Sequence, residues 1–211
     1  TLAKFSGEND VPAIELARRV GRGLRSALGI HGFDQGGFLV EAGKERPDEI
    51  SPLVSRIAVP PEWRLLLIAS RDNCGLSGDS ERTAFAKLAP MSAAMTDRLC
   101  RITLMELIPA MQFGDFDRFS ESLFEFGRLN GEYFAPIQGG IFADARMNDI
   151  ATHLRSSGCR GVGQSSWGPT LFALCRNELD AVKRQNDLQR LTDHASVDCR
   201  VVQPRNTGAS C

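Results

Sequence analysis

The residues that could do chemistry are concentrated in two glycine-rich strings, and the more distinctive lies at residues 158–175, which read GCRGVGQSSWGPTLFALC. Gly161 and Gly163 leave the backbone free to bend and to approach a ligand closely. Gln164, Ser165 and Ser166 follow as a run of hydrogen-bonding side chains, and Trp167 with the Gly168-Pro169 breaker closes the string. A glycine-rich turn between two strands aims several backbone N–H groups into one concavity, which suits a phosphate or another anion. On these residues alone, a tight β-turn held by its own serines is an equal reading. Metal chemistry has less to stand on. The six cysteines (Cys74, Cys100, Cys159, Cys175, Cys199, Cys211) include no C-x-x-C pair, and His31, His153 and His194 are scattered. Free thiols in a reducing cytoplasm are expected, with neither a zinc site nor a disulfide framework.

Elements must exist to position these groups, and the composition permits them. The chain has 211 residues, 42% hydrophobic and 24% charged, enough to bury a core in one large domain or two small ones. A formal net charge of −1 gives no basic field, which argues against nucleic acid or an anionic membrane as the main partner. No apolar run approaches the roughly 20 residues that span a bilayer, and no secretory leader is visible.

A first helix is expected after Asp10, with Pro12 in its first turn, an apolar face of Val11, Ile14, Ala17 and Val20, and Gly21 and Gly23 ending it. Residues 22–37 (RGLRSALGIHGFDQGG) read as a loop dense in glycine. Strands are predicted at 38–41 and 53–59, and Pro60-Pro61 marks a boundary between domains at 1–60 and 61–211. Residues 63–69 (WRLLLIA) form a continuous apolar run of strand length, the mark of a central buried strand. Loop is expected over 73–81, and helices over 82–88, 91–112, 116–129, 148–157 and 178–191. Residues 133–142 look irregular, a last strand falls near 197–202, and residues 206–211 read as a tail. This order suits an α+β fold, an antiparallel sheet with helices on one face, of the split βαβ kind.

Taken together and in this order, the two strings RGLRSALGIHGFDQGGFLVEAGK and GVGQSSWGP resemble the GHMP kinase superfamily. Within it they look like the β-ribofuranosylaminobenzene 5′-phosphate synthases of methanopterin biosynthesis. The resemblance runs from about Glu15 to the end. It implies a GHMP-type C-terminal domain preceded by the end of the N-terminal domain. The phosphate loop that superfamily members carry upstream is not found before Glu15, so the chain is read as lacking most of that domain, a segment its activity would need. Several of the kinases carry a Ser-Gly-x-Asp run with a Gly-Gly eight residues beyond the Asp. Laid over Ser26 to Gly37, that pattern puts Gly29 where the proton-handling aspartate belongs.

The synthase resemblance implies that phosphoribosyl pyrophosphate condenses with 4-aminobenzoate, releasing CO2 and pyrophosphate. Such a site needs groups to neutralise the departing pyrophosphate, close positioning of ribose against the aromatic ring, and exclusion of water. Under this reading Arg25, Ser26 and His31 are the candidate catalytic groups. Arg22, Gly161, Gly163, Gln164, Ser165, Ser166 and Trp167 would contact substrate. Each has a plainer alternative: a solvated arginine, a histidine bonded to backbone, a core tryptophan. Lys44 could reach a phosphate or end a strand in solvent, and Gln138-Gly139-Gly140 is expected near the site. Mg2+ is the one cofactor implied, with no redox group and no protein metal site. Small molecules are the expected partners, with a homodimer suggested by analogy. The competing functions are an ATP-dependent small-molecule kinase, which would need a carboxylate near Ser26, and an inactive GHMP-fold binding protein.

Overall fold

The computed structural model describes residues 11–71, 83, 86–142, 145–166, 168, 170–191 and 197–209. The chain divides into two compact units, Thr1–Val59 with Pro204–Cys211, and Pro60–Gln203. The first unit therefore takes the C-terminal segment that the sequence reading placed with the second. Gly37 donates to the Arg205 carbonyl at 2.7 Å, and Ala209 to that of Phe33 at 2.7 Å. The Asn206 amide pairs with both backbone groups of Val59, at 2.7 and 2.8 Å. These bonds make residues 205–209 part of the unit.

In this unit helix α1 (Ala13–Arg19) starts behind Pro12, and Asp10 lies outside the described residues. Gly21, at φ 65°, follows its C-cap. Residues 22–37, read as all loop, in fact contain helix α2 (Leu28–Gln35). The glycines at 29 and 32 hid it, since each lowers helix propensity by about 1 kcal/mol. Packing of α2 against strand β1 (Phe38–Glu41) outweighs that cost. Strand β2 (Leu53–Ile57) runs antiparallel to β1, and the register shifts between Val40 and Glu41.

The second unit is built on strand β3 (Arg64–Ser70), the predicted central strand. It pairs antiparallel with β5 (Thr170–Cys175) on one edge and β6 (Val197–Val202) on the other, and β4 (Val162–Gln164) extends the sheet beyond β5. Leu66 and Ile68 are fully buried while Leu65 and Leu67 are half-buried, so one face carries the core. Helices α6 (Ala145–Ser156) and α7 (Glu178–Leu191) supply Met147, Ile150, Leu154, Ala181 and Leu188 to the same cluster.

The expected single helix over 91–112 is interrupted. Helix α3 (Ala93–Ile102) passes through a π-helical turn (Thr103–Leu107) into α4 (Ile108–Gln112). Pro109 has no N–H to give and its ring crowds the carbonyl four residues back, at Met105. That carbonyl instead accepts from the Arg118 guanidinium at 2.9 Å. Helix α5 (Phe116–Gln138) outlasts its predicted end, continuing through Pro136 where irregular structure was expected. Gly139 stops it in the left-handed conformation, and the Tyr133 hydroxyl ties its last turns to the Ala89 carbonyl at 2.8 Å. The loop expected at 73–81, and most of the helix expected at 82–88, lie outside the described residues. Among the described residues no helix is long and apolar enough to cross a membrane.

A Cβ on Gly161 would stand 2.9 Å from Leu174 Cβ and 3.2 Å from Ser120 Cβ, with the α5 backbone 3.3 Å away. Gly161→Ala should therefore cost about 1–3 kcal/mol by overpacking, read as a loss in denaturant midpoint. Burial pushes the Cys175 thiol up from 9.0 to about 12, and pushes Cys159 up as well. The folded state keeps protons that the unfolded chain gives up above 9, so stability should fall as pH rises from about 9 towards 12. Below that window alkylation should mark the exposed Cys100 and spare Cys159 and Cys175 until denaturant is added.

Candidate functional site

In the first unit, Arg22, Arg25 and Ser26 stand exposed on the loop joining α1 to α2. Ala27, the residue before α2, is fully buried and has no side chain with which to cap the helix. Its N–H donates instead to Glu41 Oε2 at 2.6 Å. Ser26 Oγ makes a longer contact, accepting from the Leu28 N–H at 3.3 Å. Glu41 was absent from the sequence reading. The available signal was its place at the end of a strand, twelve residues past Gly29; a bulge cannot be read from one sequence.

His31 is 3% exposed, and its Nε2 lies 3.0 Å from the Ser51 carbonyl. A carbonyl only accepts, so that nitrogen carries the proton, and the ring ties α2 to the segment before β2. The structure thus has the histidine bonded to backbone, the plainer of its two readings. Lys44 fits neither of its own. Its ammonium donates to the Leu24 carbonyl and reaches those of Pro47 and Glu49 at 3.2 and 3.4 Å. Gly29, at the position of the kinases' aspartate, faces open space: a Cβ there meets nothing within 4 Å. Its lack of a side chain is not a packing requirement.

In the second unit the glycine string forms less of a turn than expected. Gly161 and Gly163 are buried, and Gly163 lies within β4, paired with Phe172. Their missing side chains make room for neighbours: Gly161 for Ser120 and Leu174, Gly163 for the Phe172 ring. The turn itself starts at Ser165. The Ser165 N–H donates to the Thr170 carbonyl at 2.9 Å, and Gly168 N–H to that of Ser165 at 3.0 Å. These two amides are therefore bonded within the segment 165–170. Ser166 takes φ 50°, a strained value for a residue with a Cβ. Both serine side chains are exposed, and Trp167 lies outside the described residues.

Gln164 Nε2 donates to the Ser166 carbonyl at 2.9 Å and to Gln138 Oε1 at 3.3 Å. Gln138 passes the chain on, its own amide donating to the Gly140 and Ile141 carbonyls at 2.8 and 2.9 Å. Residues 138–140 are thus joined to this segment through a pair of glutamines. Among the described residues, no three His, Cys, Asp or Glu side chains stand together as a metal cage. The candidate residues thus fall into two sets: Arg22, Arg25, Ser26 and His31 in one unit, and residues 161–166 in the other.

No protein-family model matches the chain. It is 32% identical over 174 residues to the beta-ribofuranosylphenol 5′-phosphate synthase of Methanothermobacter thermautotrophicus, aligning 77% of this chain with 52% of that protein. The chain spans between 52% and 62% of the length of the archaeal relatives of that name. Among solved structures, homoserine kinase from Cytophaga hutchinsonii superposes on 98% of the chain and 62% of its own, with TM-score 0.64 and 15% identity. MDDEF in complex with MVAPP, AMPPCP and magnesium superposes on 93% of the chain and 60% of its own, with TM-score 0.61 and 18% identity. At such identities the structures establish the fold, and the closer sequence match establishes the kinship. The chain has the GHMP-kinase-like α+β fold and is related to the archaeal beta-ribofuranosylphenol 5′-phosphate synthases.

Proposed function

We propose that this chain is the larger part of a synthase that joins the ribose of phosphoribosyl pyrophosphate to the ring carbon of a para-substituted benzoate. The observation that carries the reading is the 32% identity over 174 residues to a protein named for a ribofuranosylphenol phosphate product. In the reaction, the bond from ribose C1 to the pyrophosphate oxygen breaks, leaving an oxocarbenium-like carbon. The para substituent pushes electrons to the ring carbon that bears the carboxylate, and that carbon forms the new C–C bond. The bond to the carboxylate then gives its pair back to the ring as CO2 leaves. A hydroxyl and an amine can both act as the para donor. The relatives' name indicates the phenol, whereas the sequence resemblance indicated the aminobenzene, so 4-hydroxybenzoate and 4-aminobenzoate are both candidate acceptors.

In this reading Arg22 and Arg25 neutralise charge developing on the departing pyrophosphate, with Ser26 donating a hydrogen bond. The exposed hydroxyls of Ser165 and Ser166 are the second set of anion contacts. Mg2+, one of the components of the MDDEF complex with MVAPP and AMPPCP, would come with the donor's phosphate oxygens, since the described residues build no cage of their own. Supporting this assignment, the loop that carries Arg25 is held through its backbone at Ala27, and Arg22, Arg25 and Ser26 are exposed on it, as on a binding loop carried by a scaffold.

A kinase is the second reading, and one observation favours it. Glu41 brings a carboxylate to Ala27, the neighbour of Ser26, where one of its oxygens accepts from the Ala27 N–H at 2.6 Å. That oxygen is occupied in holding the backbone, which leaves the synthase ahead. Incubation of the full-length protein with phosphoribosyl pyrophosphate and each benzoate should release CO2 from one or both. ATP turnover without CO2 would hand the chain to the kinases, and tight donor binding without turnover would make it a binding protein. Separately, Gly29→Asp should fold at least as stably as the parent. The open space accepts the side chain, and an acid in the first turn of α2 gains roughly 0.3–1 kcal/mol from the helix dipole, readable as an unchanged or raised Tm.

A further inference from the structure

Resting on that reading, we infer that Glu41 and Lys44 are positioning residues, a two-point clamp that holds Arg25 and Ser26 in place for the donor's phosphates. The two side chains leave one short segment, FLVEAGK, three residues apart and opposite in charge. Each grips the backbone of the same loop. Lys44 Nζ donates to the carbonyl of Leu24, and Glu41 Oε2 accepts from the N–H of Ala27 at 2.6 Å. Leu24 and Ala27 are the residues immediately outside Arg25 and Ser26. The gripped points therefore bracket the two exposed side chains assigned to the phosphate.

The geometry that makes this clamp is specific. Residues alternate faces along a strand, so an uninterrupted β1 would carry Glu41 on the face opposite Val40 with no reason to meet a helix end. The register shifts between Val40 and Glu41, with Val54 the extra residue on β2, so Glu41 stands where the ladder becomes irregular, and its carboxylate reaches the Ala27 N–H. A negative carboxylate at the start of α2 is favoured by the helix dipole and satisfies a buried donor that alanine cannot cap. On the other side, Lys44 spans the Leu24, Pro47 and Glu49 carbonyls, so the loop before α2 and the turn after β1 share one ammonium. His31, bonded to the Ser51 carbonyl, anchors the body of α2 independently of both. Loss of the clamp would thus free residues 22–27 and leave the helix seated. Order imposed before binding is ordering that the ligand does not have to supply, which is how a residue remote from phosphate affects affinity.

The test combines a readout that needs no ligand with one that does, on the full-length protein. Hydrogen exchange of a peptide covering residues 22–28 should speed up about tenfold or more in Glu41→Ala and in Lys44→Ala, the scale of a lost charge-assisted hydrogen bond. Exchange over β2 should stay as in the parent. Glu41→Gln, which keeps an acceptor oxygen, should restore most of the protection. Unchanged exchange over residues 22–28, or loss of protection throughout the unit, overturns the clamp. Binding of phosphoribosyl pyrophosphate should weaken about tenfold in either alanine variant, yet Glu41→Ala should cost nothing further in an Arg25→Ala background. Equal and additive losses in both backgrounds would mean the effect does not pass through Arg25, and the inference fails. A parent protein that binds no phosphoribosyl pyrophosphate ends the synthase reading instead, and the exchange result then decides the clamp alone.

Discussion

Backbone groups stranded at the ends of elements have to find partners, and in this chain long side chains from elsewhere supply them. The Ala27 N–H takes the Glu41 carboxylate, and the Met105 carbonyl, orphaned by Pro109, takes Arg118. Both polar groups of Val59 take the Asn206 amide, and the Gly140 and Ile141 carbonyls take Gln138. A buried amide left unpaired costs about 1–3 kcal/mol, the same order as a whole domain's margin of stability divided among a few such sites. Each arrangement therefore fixes a piece of chain that has no regular ladder to hold it. The loops fixed in this way include both segments that the candidate chemistry relies on.

This constraint also explains what could and could not be read from residues alone. Strand β3 was legible because three leucines and an isoleucine in sequence leave few alternatives to a buried strand. Helix α7 (Glu178–Leu191) and strand β6 (Val197–Val202) also fall where the sequence pattern put them. Helix α2 was not, because its two glycines and its alanine cap advertise a loop, and the capping carboxylate comes from fourteen residues away. The long reach of α5 through Pro136 and the return of residues 205–209 to the first unit depend on tertiary partners. Periodicity carries no trace of those.

At the candidate site the same division holds. Residue types singled out two strings, and in one of them the glycines have a packing task that the sequence reading did not give them. Gly161 and Gly163 were read as making a flexible turn, and they are instead small because a helix and an aromatic ring press against them. Packing and ligand approach impose the same demand on a backbone, a missing Cβ, so sequence cannot separate them. His31 and Lys44 likewise have structural partners that residue type alone does not reveal. Both use their polar atoms on backbone carbonyls, a role that any surface loop can require and no motif encodes.

The chemistry of the fold can be weighed in these terms. A phosphotransferase needs a carboxylate free to take a proton from an acceptor hydroxyl, and it needs that carboxylate at the start of the helix that bears Gly29. The site has a carboxylate near this position, but its best-placed oxygen is committed to holding Ala27, and the position that could carry a free one is glycine with open space around it. An acid spent on structure, next to an empty place where a catalytic acid would fit, is what a kinase scaffold looks like once its proton acceptor is no longer required. A condensation driven by loss of pyrophosphate and CO2 has no such requirement, because the ring's own para donor and the leaving carboxylate supply the electrons. What that reaction demands is a fixed array of cations facing the departing phosphates. Under the proposed synthase reading, Arg22 and Arg25, exposed on a loop whose backbone is held by Glu41 and Lys44, are the cations assigned to that task.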